Sequence, residues 1–294
     1  LAKLGTKVAF CGRLGDDAIG KKFQKLFDIR GVNLRGLQID QARSSRIVLV
    51  RRDLSGDRSF QGFQGDATKD FADQALAVND LIEVWPFLVR RTSWLLSGTI
   101  PLATSSSAEA LEWAIDEALR NDIKLALDIN WRSTFWNSRN ASDSGPNKAA
   151  LIKIEPCLEK ASLLKLAKEE AMWFFNTKDP CQISKLLPNH PDVVVTDGPL
   201  PVHWFIEGFN GETKALSPPC VVDTTGAGDA FMAGLIHQLL MLSSMPIKEE
   251  LVRDAVLFAA ACGALVCGGP GAIYPQPTYD EVAAFLSGNL GESN

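Results

Sequence analysis

The sequence lacks the features of a membrane protein, a metal-cluster protein and a nucleic-acid-binding protein. No apolar run approaches the roughly 20 residues that span a bilayer. The six cysteines form no CxxC pair, and none of the three histidines lies at ligand spacing from a cysteine. The net charge is −5 without a long basic run, so neither nucleic acid nor an anionic membrane is an expected partner. A phosphate ligand would need local amides, a few cations or a metal.

The cysteines are scattered, which is typical of free thiols in a reducing compartment, and we expect a cytoplasmic protein. The chain opens on the letters LAKLG, without Met and within a segment that reads as a helix. We therefore expect its natural N-terminus to be missing. A lost targeting peptide would leave the plastid stroma open as a location.

The pattern of apolar segments predicts an α/β fold with a mainly parallel sheet between helices. A length of 294 residues suits one such domain. Helices are predicted after Asp17 to about Arg30, and at 108–120 and 149–160. The predicted strands are 8–12, 93–98, 124–129, 162–166, 192–196 and 202–206.

A small β appendage is predicted at about residues 32–65. Two short strands, 47–50 and 58–60, flank the turn-forming residues 53–57. Residues 137–148 are expected to be a surface loop, and a tail is expected from residue 288.

The most informative stretch is residues 221–231, VVDTTGAGDAF. An extended Val pair enters a Gly-rich turn, and a helix is predicted to start at Asp229, since apolar residues then recur at helical spacing. Glycines and a helix start let backbone N–H groups converge on a phosphate or a developing oxyanion. A carboxylate beside such a site can accept a proton from an incoming hydroxyl. The alternative is that Asp229 only caps the helix.

The DTTGAGD portion of this stretch resembles the second signature of the ribokinase-like (PfkB) sugar kinases, D-T-x-G-A-G-D before a helix. Other segments extend the resemblance over nearly the whole chain. Residues 4–20 are similar to the tail of the family's first signature, and residues 55–60 to its lid hairpin. Residues 128–132, with Trp136 beyond, resemble the D-x-N-x-R…W segment of fructokinases.

The resemblance implies a role for each matching residue. Asp229 would be the catalytic base, and the amides of Gly226, Ala227 and Gly228 would form an anion hole. Asp223 and the Thr225 carbonyl would belong to a monovalent-cation site shared with the loop at Gly271, and Glu170 would take the place of a Mg²⁺-linked glutamate. On the ATP side the resemblance selects Thr196, Gly198 and Gly271, the last in the C-terminal nucleotide-pocket loop. Lys165 and Arg132 would be phosphate neighbours, although either cation could equally be a solvated surface residue.

The chain also departs from the family pattern. The family's first strand and its sugar-gripping Gly-Gly and Asn residues would lie upstream of Leu1, so residues 1–294 are expected to be a kinase domain without that segment, with exposed sheet edges. Ala167 replaces the usual Asn or Ser, Ala260 stands where fructokinases often carry Asn, and Pro201 replaces a second Gly. These changes favour a rival hypothesis, a kinase-like scaffold or regulatory protein without catalysis.

The function implied by the resemblance is phosphoryl transfer from ATP to a primary sugar hydroxyl, with fructose as the favoured acceptor on residues 128–132 alone. The sugar 2-keto-3-deoxygluconate and others stay open. The implied cofactors are ATP and Mg²⁺, with K⁺ as an optional ion, and a homodimer through the lid fits the family. A dinucleotide-binding oxidoreductase is disfavoured because the spacing of Gly12, Gly15 and Gly20 departs from GxGxxG. A P-loop kinase and a serine hydrolase are excluded because GxxxxGK[ST] and GxSxG are absent.

Overall fold

The computed structural model of the chain describes residues 1–52, 58–64, 70–137, 140–141, 143–218 and 220–291. It confirms an α/β fold with a mainly parallel central sheet covered by helices. Within the described residues, no helix is both long enough and apolar enough to cross a bilayer.

The strands form one large sheet and two small ones. The strands are β1 (Ala9–Gly15), β2 (Asn33–Asp40), β3 (Val48–Arg52), β4 (Arg58–Phe63), β5 (Trp94–Gly98), β6 (Lys124–Asp128), β7 (Leu163–Ala167), β8 (Asp192–Asp197), β9 (Leu200–Ile206) and β10 (Phe209–Thr213). The large sheet has the order β10-β9-β8-β7-β6-β5. Strands β5 to β8 are parallel, whereas β9 and β10 are antiparallel to their neighbours.

Helices connect the parallel strands and cover both faces of the sheet. They are α1 (Ala18–Ile29), α2 (Val78–Leu88), α3 (Ser105–Arg120), α4 (Ser133–Trp136), α5 (Lys148–Lys160), α6 (Lys168–Phe175), α7 (Pro180–Leu186), α8 (Ala227–Leu242), α9 (Glu249–Val266) and α10 (Tyr279–Gly291). Short 3₁₀ turns lie at Ala2–Leu4, Ala72–Ala75, Val89–Arg91 and Ile100–Ala103.

The core has two main layers because successive strand residues point to opposite faces of the sheet. Leu164 of β7 packs with α3, α5 and α7 on one face. Its neighbour Leu163 packs with α8 and α9 on the other face. Both side chains are fully buried. Helix α8 therefore packs on the face of the sheet that Leu163 occupies.

Strands β1 and β2 form a separate parallel pair. Among the described residues, β1 pairs with no strand of the large sheet, although it faces the β5 side of that sheet. Residues of β1 line an apolar cavity of about 410 Å³, together with residues of α2, α3, α8 and β5. The cavity therefore lies between the β1–β2 pair and the large sheet.

The predicted lid region contains two different pairings. Strand β2 pairs with β1, and β3 pairs with β4 in an antiparallel hairpin that carries a register shift between Leu49 and Val50. Predicted turn residues 53–57 lie outside the described residues. Arg46, just before β3, lies over the rings of Phe63, Phe71 and Phe135 at 4.7–4.8 Å, which links the hairpin base to α4.

Several predicted boundaries were wrong by a few residues. The strand predicted at 8–12 spans Ala9–Gly15, because pairing with β2 carries it past the apolar run. The helix predicted at 108–120 begins at Ser105. The chain opens in a single 3₁₀ turn rather than a regular helix.

Candidate active site

The candidate residues on the large sheet lie at one edge of it. Asp128 ends β6, Lys165 lies on β7, and Thr196 lies on β8. Asp128 and Lys165 are register partners, and Ala167 is the partner of Thr196. Ligands of α/β proteins bind outside the carboxyl ends of parallel strands, which is where these residues lie.

Helix α8 begins earlier than the sequence predicted. It starts at Ala227 rather than Asp229, because Gly226 adopts φ 86° and serves as the N-cap residue. That left-handed conformation suits glycine, which has no Cβ to clash. Asp229 is therefore the third residue of the helix, and the hypothesis that it is the capping residue was wrong.

The turn before α8 presents backbone donors. Ala227 N–H donates to Thr224 O over a long 3.3 Å. Within the described part of the chain, no acceptor contacts the N–H groups of Gly226 or Gly228. The first N–H groups of a helix have no intrahelical acceptor, and they lie at the positive end of the helix dipole. The predicted anion hole therefore has donors available for a phosphate.

The carboxylate of Asp229 is exposed and borders a cavity of about 260 Å³. Phe10, Ala230 and Cys262 line the same cavity. No described side chain or amide donates a hydrogen bond to this carboxylate, so it is available to accept a proton from a bound hydroxyl.

Asp223 joins two loops next to the anion hole. Its Oδ1 accepts hydrogen bonds from Thr225 N at 3.0 Å and Thr225 Oγ1 at 2.6 Å, and its Oδ2 accepts one from Gly271 N at 2.9 Å. Asp223 is buried. The structure thus brings together the three residues predicted for a monovalent-cation site.

Lys165 forms a buried ion pair with Asp128. Its Nζ lies 3.1 Å from Oδ1 and 3.0 Å from Oδ2. Burial raises the pKa of Asp128, while the Lys165 ammonium acts against this rise and Asp229 adds to it. The guanidinium of Arg132 also acts on Asp128, although Arg132 itself is exposed and donates to Trp131 O. Charged groups from β6, β7, α8 and the segment after β6 therefore interact at this edge of the sheet.

Glu170 connects the ends of two neighbouring strands. Its two carboxylate oxygens accept hydrogen bonds from Trp131 N and Ala167 N, each at 2.7 Å. Burial raises the pKa of Glu170, and the amide of Ala167 and the charge of Lys165 oppose this rise. Within the described ranges, no group of three His, Cys, Asp or Glu residues could hold a metal ion. The predicted metal-linked residue thus already has two amide partners.

The two residues predicted for the ATP side lie at the end of β8. Thr196 Oγ1 donates to Leu166 O at 3.4 Å, and Gly198 adopts φ 54° in the turn before β9. Neither borders the cavity that contains Asp229. Sequence reasoning used Asp128 only as part of the segment 128–132 that favours fructose, and it missed the pairing with Lys165, which joins positions 37 residues apart.

Comparison with known proteins identifies the family. Residues 1–279 match the profile of the pfkB family carbohydrate kinases. The chain belongs to this family. As a carbohydrate kinase, it is a phosphotransferase with a sugar hydroxyl as acceptor.

Several fructokinases are relatives of this carbohydrate kinase. It is 31% identical over 293 residues to a probable chloroplastic fructokinase-6 of Arabidopsis thaliana, a match that covers 97% of this chain and 71% of the relative. It is 29% identical over 290 residues to a fructokinase of Vibrio alginolyticus, covering 97% and 88% of the two chains.

Solved structures share the fold. A fructokinase from Vibrio cholerae O395, with fructose, ADP and a calcium ion bound, has a TM-score of 0.78 at 25% identity, and the match covers 97% of this kinase and 87% of the other chain. A putative ribokinase II from E. coli has a TM-score of 0.80 at 19% identity, covering 97% and 85%. The second match supports the ribokinase-like fold alone.

Proposed function

We propose that this chain transfers the γ-phosphoryl group of ATP to a primary hydroxyl of fructose, which gives fructose 6-phosphate. The observation that carries the proposal is the first turn of α8. There Asp229, which borders a cavity of about 260 Å³, directly follows Gly228, and Gly226 is the N-cap residue of the same turn. This arrangement supports a base at Asp229 next to an anion site at the preceding amides.

The reaction follows from this arrangement. The sugar hydroxyl gives its proton to Asp229 as its oxygen attacks the γ-phosphorus. The bond from that phosphorus to the bridging oxygen of ADP breaks, and ADP leaves. The amides of Gly226, Ala227 and Gly228 donate hydrogen bonds to the transferring phosphoryl group, where charge is stabilised most in the transition state.

On the nucleotide side we propose Thr196, Gly198, Lys165 and Arg132. Lys165 and Arg132 supply positive charge at the strand edge, close enough to act on Asp128. A related fructokinase has been solved with ADP bound, which fits the same use of the fold. The chain's net charge of −5 provides no general attraction, so such local cations are required.

The described residues fit a metal that arrives with the nucleotide. Mg²⁺ is commonly held by one or two carboxylates plus substrate phosphates rather than by a protein cage. Glu170 would hold it through lone pairs that its amide partners do not use, and the ion would neutralise phosphate charge. Asp223, Thr225 and Gly271 would hold K⁺, because the buried Asp223 carboxylate brings these three residues together.

Fructose is proposed as the acceptor on two grounds. The relatives at 29% and 31% identity are named fructokinases. The residues 128–132 follow the fructokinase pattern and lie beside Lys165. The sugar 2-keto-3-deoxygluconate is the comparison substrate.

We also propose a cytoplasmic location or another reducing compartment, which the six free thiols support. The β3–β4 hairpin is the surface proposed for a homodimer.

The first prediction concerns Asp229→Asn. Because the amide cannot accept the hydroxyl proton, we expect kcat for fructose phosphorylation to fall by roughly 10²–10⁴-fold with little change in KM for ATP. The measurement is ADP release at saturating fructose and MgATP. Asp254→Asn is the matched control, since Asp254 is an exposed carboxylate on α9 that does not border the cavity.

Equal rates for wild type and Asp229→Asn would remove Asp229 from the mechanism. Turnover with 2-keto-3-deoxygluconate but not with fructose would contradict the proposed substrate and leave the proposed role of Asp229 in place. An absence of turnover with every hexose, pentose and nucleoside tested would favour the scaffold hypothesis.

A further inference from the structure

The Asp128–Lys165 pair is enclosed by the protein. Both side chains are only 8% exposed, and the ammonium contacts both carboxylate oxygens. Removing two charges from water costs several kcal/mol for each ion, and an apolar pair of similar volume is often as stable. The stability of the fold therefore gives little reason for a buried ion pair at this position.

The ammonium of Lys165 also lies directly beneath the first turn of α8. A Cβ atom placed on Gly228 would lie 2.8 Å from Lys165 Nζ. The backbone of Gly228 does not adopt a positive φ, so conformation does not require glycine there. The space that Gly228 leaves is occupied by the ammonium, one residue before Asp229.

The donors of this ammonium are only partly used. A lysine ammonium has three N–H donors. Two contacts within the described residues go to Asp128, at 3.0 and 3.1 Å. One donor remains for a ligand oxygen at the Gly228 amide. A lysine side chain is flexible, with four methylene groups. Without the Asp128 carboxylate, the Lys165 ammonium would therefore not stay in one place.

We propose that Asp128 is a positioning residue for phosphoryl transfer, which holds the Lys165 ammonium beneath Gly228 so that it meets the oxygens of the transferring γ-phosphoryl group. This inference rests on the proposed function. Asp128 touches neither the sugar nor ATP and exchanges no proton. It acts by fixing a cation in advance, so that the charge of the transition state is stabilised without rearrangement. Gly228 has a second role besides its amide, because it leaves room for the cation.

The test compares three variants with the wild type. Asp128→Asn keeps the size of the side chain but removes the charge that holds Lys165. Gly228→Ala moves the ammonium by contact with the new methyl group, while alanine suits a helix better than glycine. Asp116→Asn is the matched control, because it breaks another Lys–Asp pair, Lys160–Asp116 at 2.6 Å, which is partly exposed and lies outside the site.

We expect kcat to fall about 100-fold in Asp128→Asn and in Gly228→Ala, as for a misplaced catalytic group. KM for fructose should change less than about threefold. The double variant should lose no more than the worse single variant, because both changes act through one ammonium. Gly228→Ala should keep its melting temperature, and Asp116→Asn should keep wild-type kinetics.

A binding measurement does not depend on turnover. Calorimetric titration with ATP and with ADP should show ATP affinity reduced about tenfold in Asp128→Asn, and ADP affinity nearly unchanged, because the lost contact is to the γ-phosphoryl group. An unchanged ATP-to-ADP affinity ratio overturns the inference, even if the wild type phosphorylates fructose as proposed. Multiplicative losses in the double variant also overturn it. A wild type that neither binds ATP nor turns over overturns the inference and the proposed function together.

Discussion

At the scale of single residues, two glycines of the candidate site are required for different reasons. Gly226 has φ 86°, and a Cβ there would lie 2.8 Å from Ala272 Cβ and 2.9 Å from Ala272 Cα. Gly271 has φ 73°, but a Cβ added to it would meet nothing within 4 Å. Backbone conformation favours glycine at both positions, whereas close contact excludes a side chain only at Gly226.

Gly226→Ala should therefore destabilise the protein more than Gly271→Ala. We expect roughly 2–4 kcal/mol for Gly226→Ala, from the left-handed backbone and the overlap with Ala272 together. For Gly271→Ala we expect about 1–2 kcal/mol, from the backbone alone. Chemical denaturation of both variants gives the two values, and equal losses would show that the contact with Ala272 relaxes at no cost.

At this scale, motif spacing predicted which residues belong to the turn before α8, since Asp223, Gly226 and Asp229 lie within seven consecutive residues of the chain. It could not predict the Asp128–Lys165 pair. That pair depends on the register of β6 against β7, which sets positions 37 residues apart side by side. The spacing within a motif does not show which strand pairs with which, or at what register, when the two strands are far apart in the chain.

At the scale of elements, α8 is held by close packing on α9. A Cβ on Gly234 would lie 2.8 Å from Cys262 Sγ and 2.9 Å from the Cα of Ala259. Two helix backbones can approach this closely only where one of them has no side chain. The position of α8 sets the position of Asp229, so this contact supports the site from further along the same helix.

Gly234→Ala is expected to destabilise the protein, although alanine is the better helix former. Overpacking against the α9 backbone costs up to about 3 kcal/mol, and we expect the upper part of that range because the contact is with backbone, so the cost is larger than the roughly 1 kcal/mol gained in helix propensity. Gly288→Ala is the matched control, because Gly288 lies in α10 with nothing within 4 Å of where its Cβ would be. The melting temperature should fall for Gly234→Ala and rise for Gly288→Ala. A rise for both variants would contradict the packing argument.

Helices and strands were predicted well where apolar periodicity was strong, and their ends less well. Helix α8 begins at Ala227 because Gly226 forms a left-handed N-cap, and β1 continues to Gly15 because β2 supplies partners. The first cause is a backbone angle, and the second is a contact with another strand. Neither appears in the spacing of apolar residues.

At the scale of the whole molecule, stability should depend on pH through carboxylates with opposite behaviour. Burial opposes ionisation of Asp40, but the amides of Ala42 and Arg43 and the Arg13 guanidinium outweigh it and lower its pKa to about 2. Burial of Asp192 raises its pKa to about 6, despite a hydrogen bond from Glu207 N. The ordinary pKa for both groups is 3.8.

Because the pKa of Asp40 is lowered and that of Asp192 is raised, the two variants described next should differ in how their stability to urea depends on pH. Asp40 stabilises the fold above pH 4, and this contribution is lost as pH falls from about 4 towards 2. Asp40→Asn should therefore be less stable than the wild type at neutral pH, and its stability should change less as pH falls. Ionised Asp192 destabilises the fold above pH 6, and this effect weakens as pH falls. The free energy of unfolding of Asp192→Asn, relative to the wild type, should therefore be most favourable at neutral pH. Parallel pH profiles for both variants would contradict this assignment.

The overall class of the fold follows from alternating β and α segments, but the arrangement of strands does not. The sequence predicts β9 as one more strand of a mainly parallel sheet, whereas it lies antiparallel to β8 after a short turn at Gly198. Likewise, the pairing of β1 with β2 apart from the large sheet arises from tertiary contacts alone.

The charges around Asp128 have a consequence for how the protein captures its nucleotide. Asp128, Asp229 and Glu170 carry negative charges, and Lys165 and Arg132 carry positive ones. Before ATP arrives, the site has no excess of positive charge, and the protein as a whole is acidic. It therefore exerts little pull on distant anions, and simple phosphate ions in the surrounding solution are weak competitors. Attraction develops only at contact distance, so the rate of ATP association should respond weakly to ionic strength.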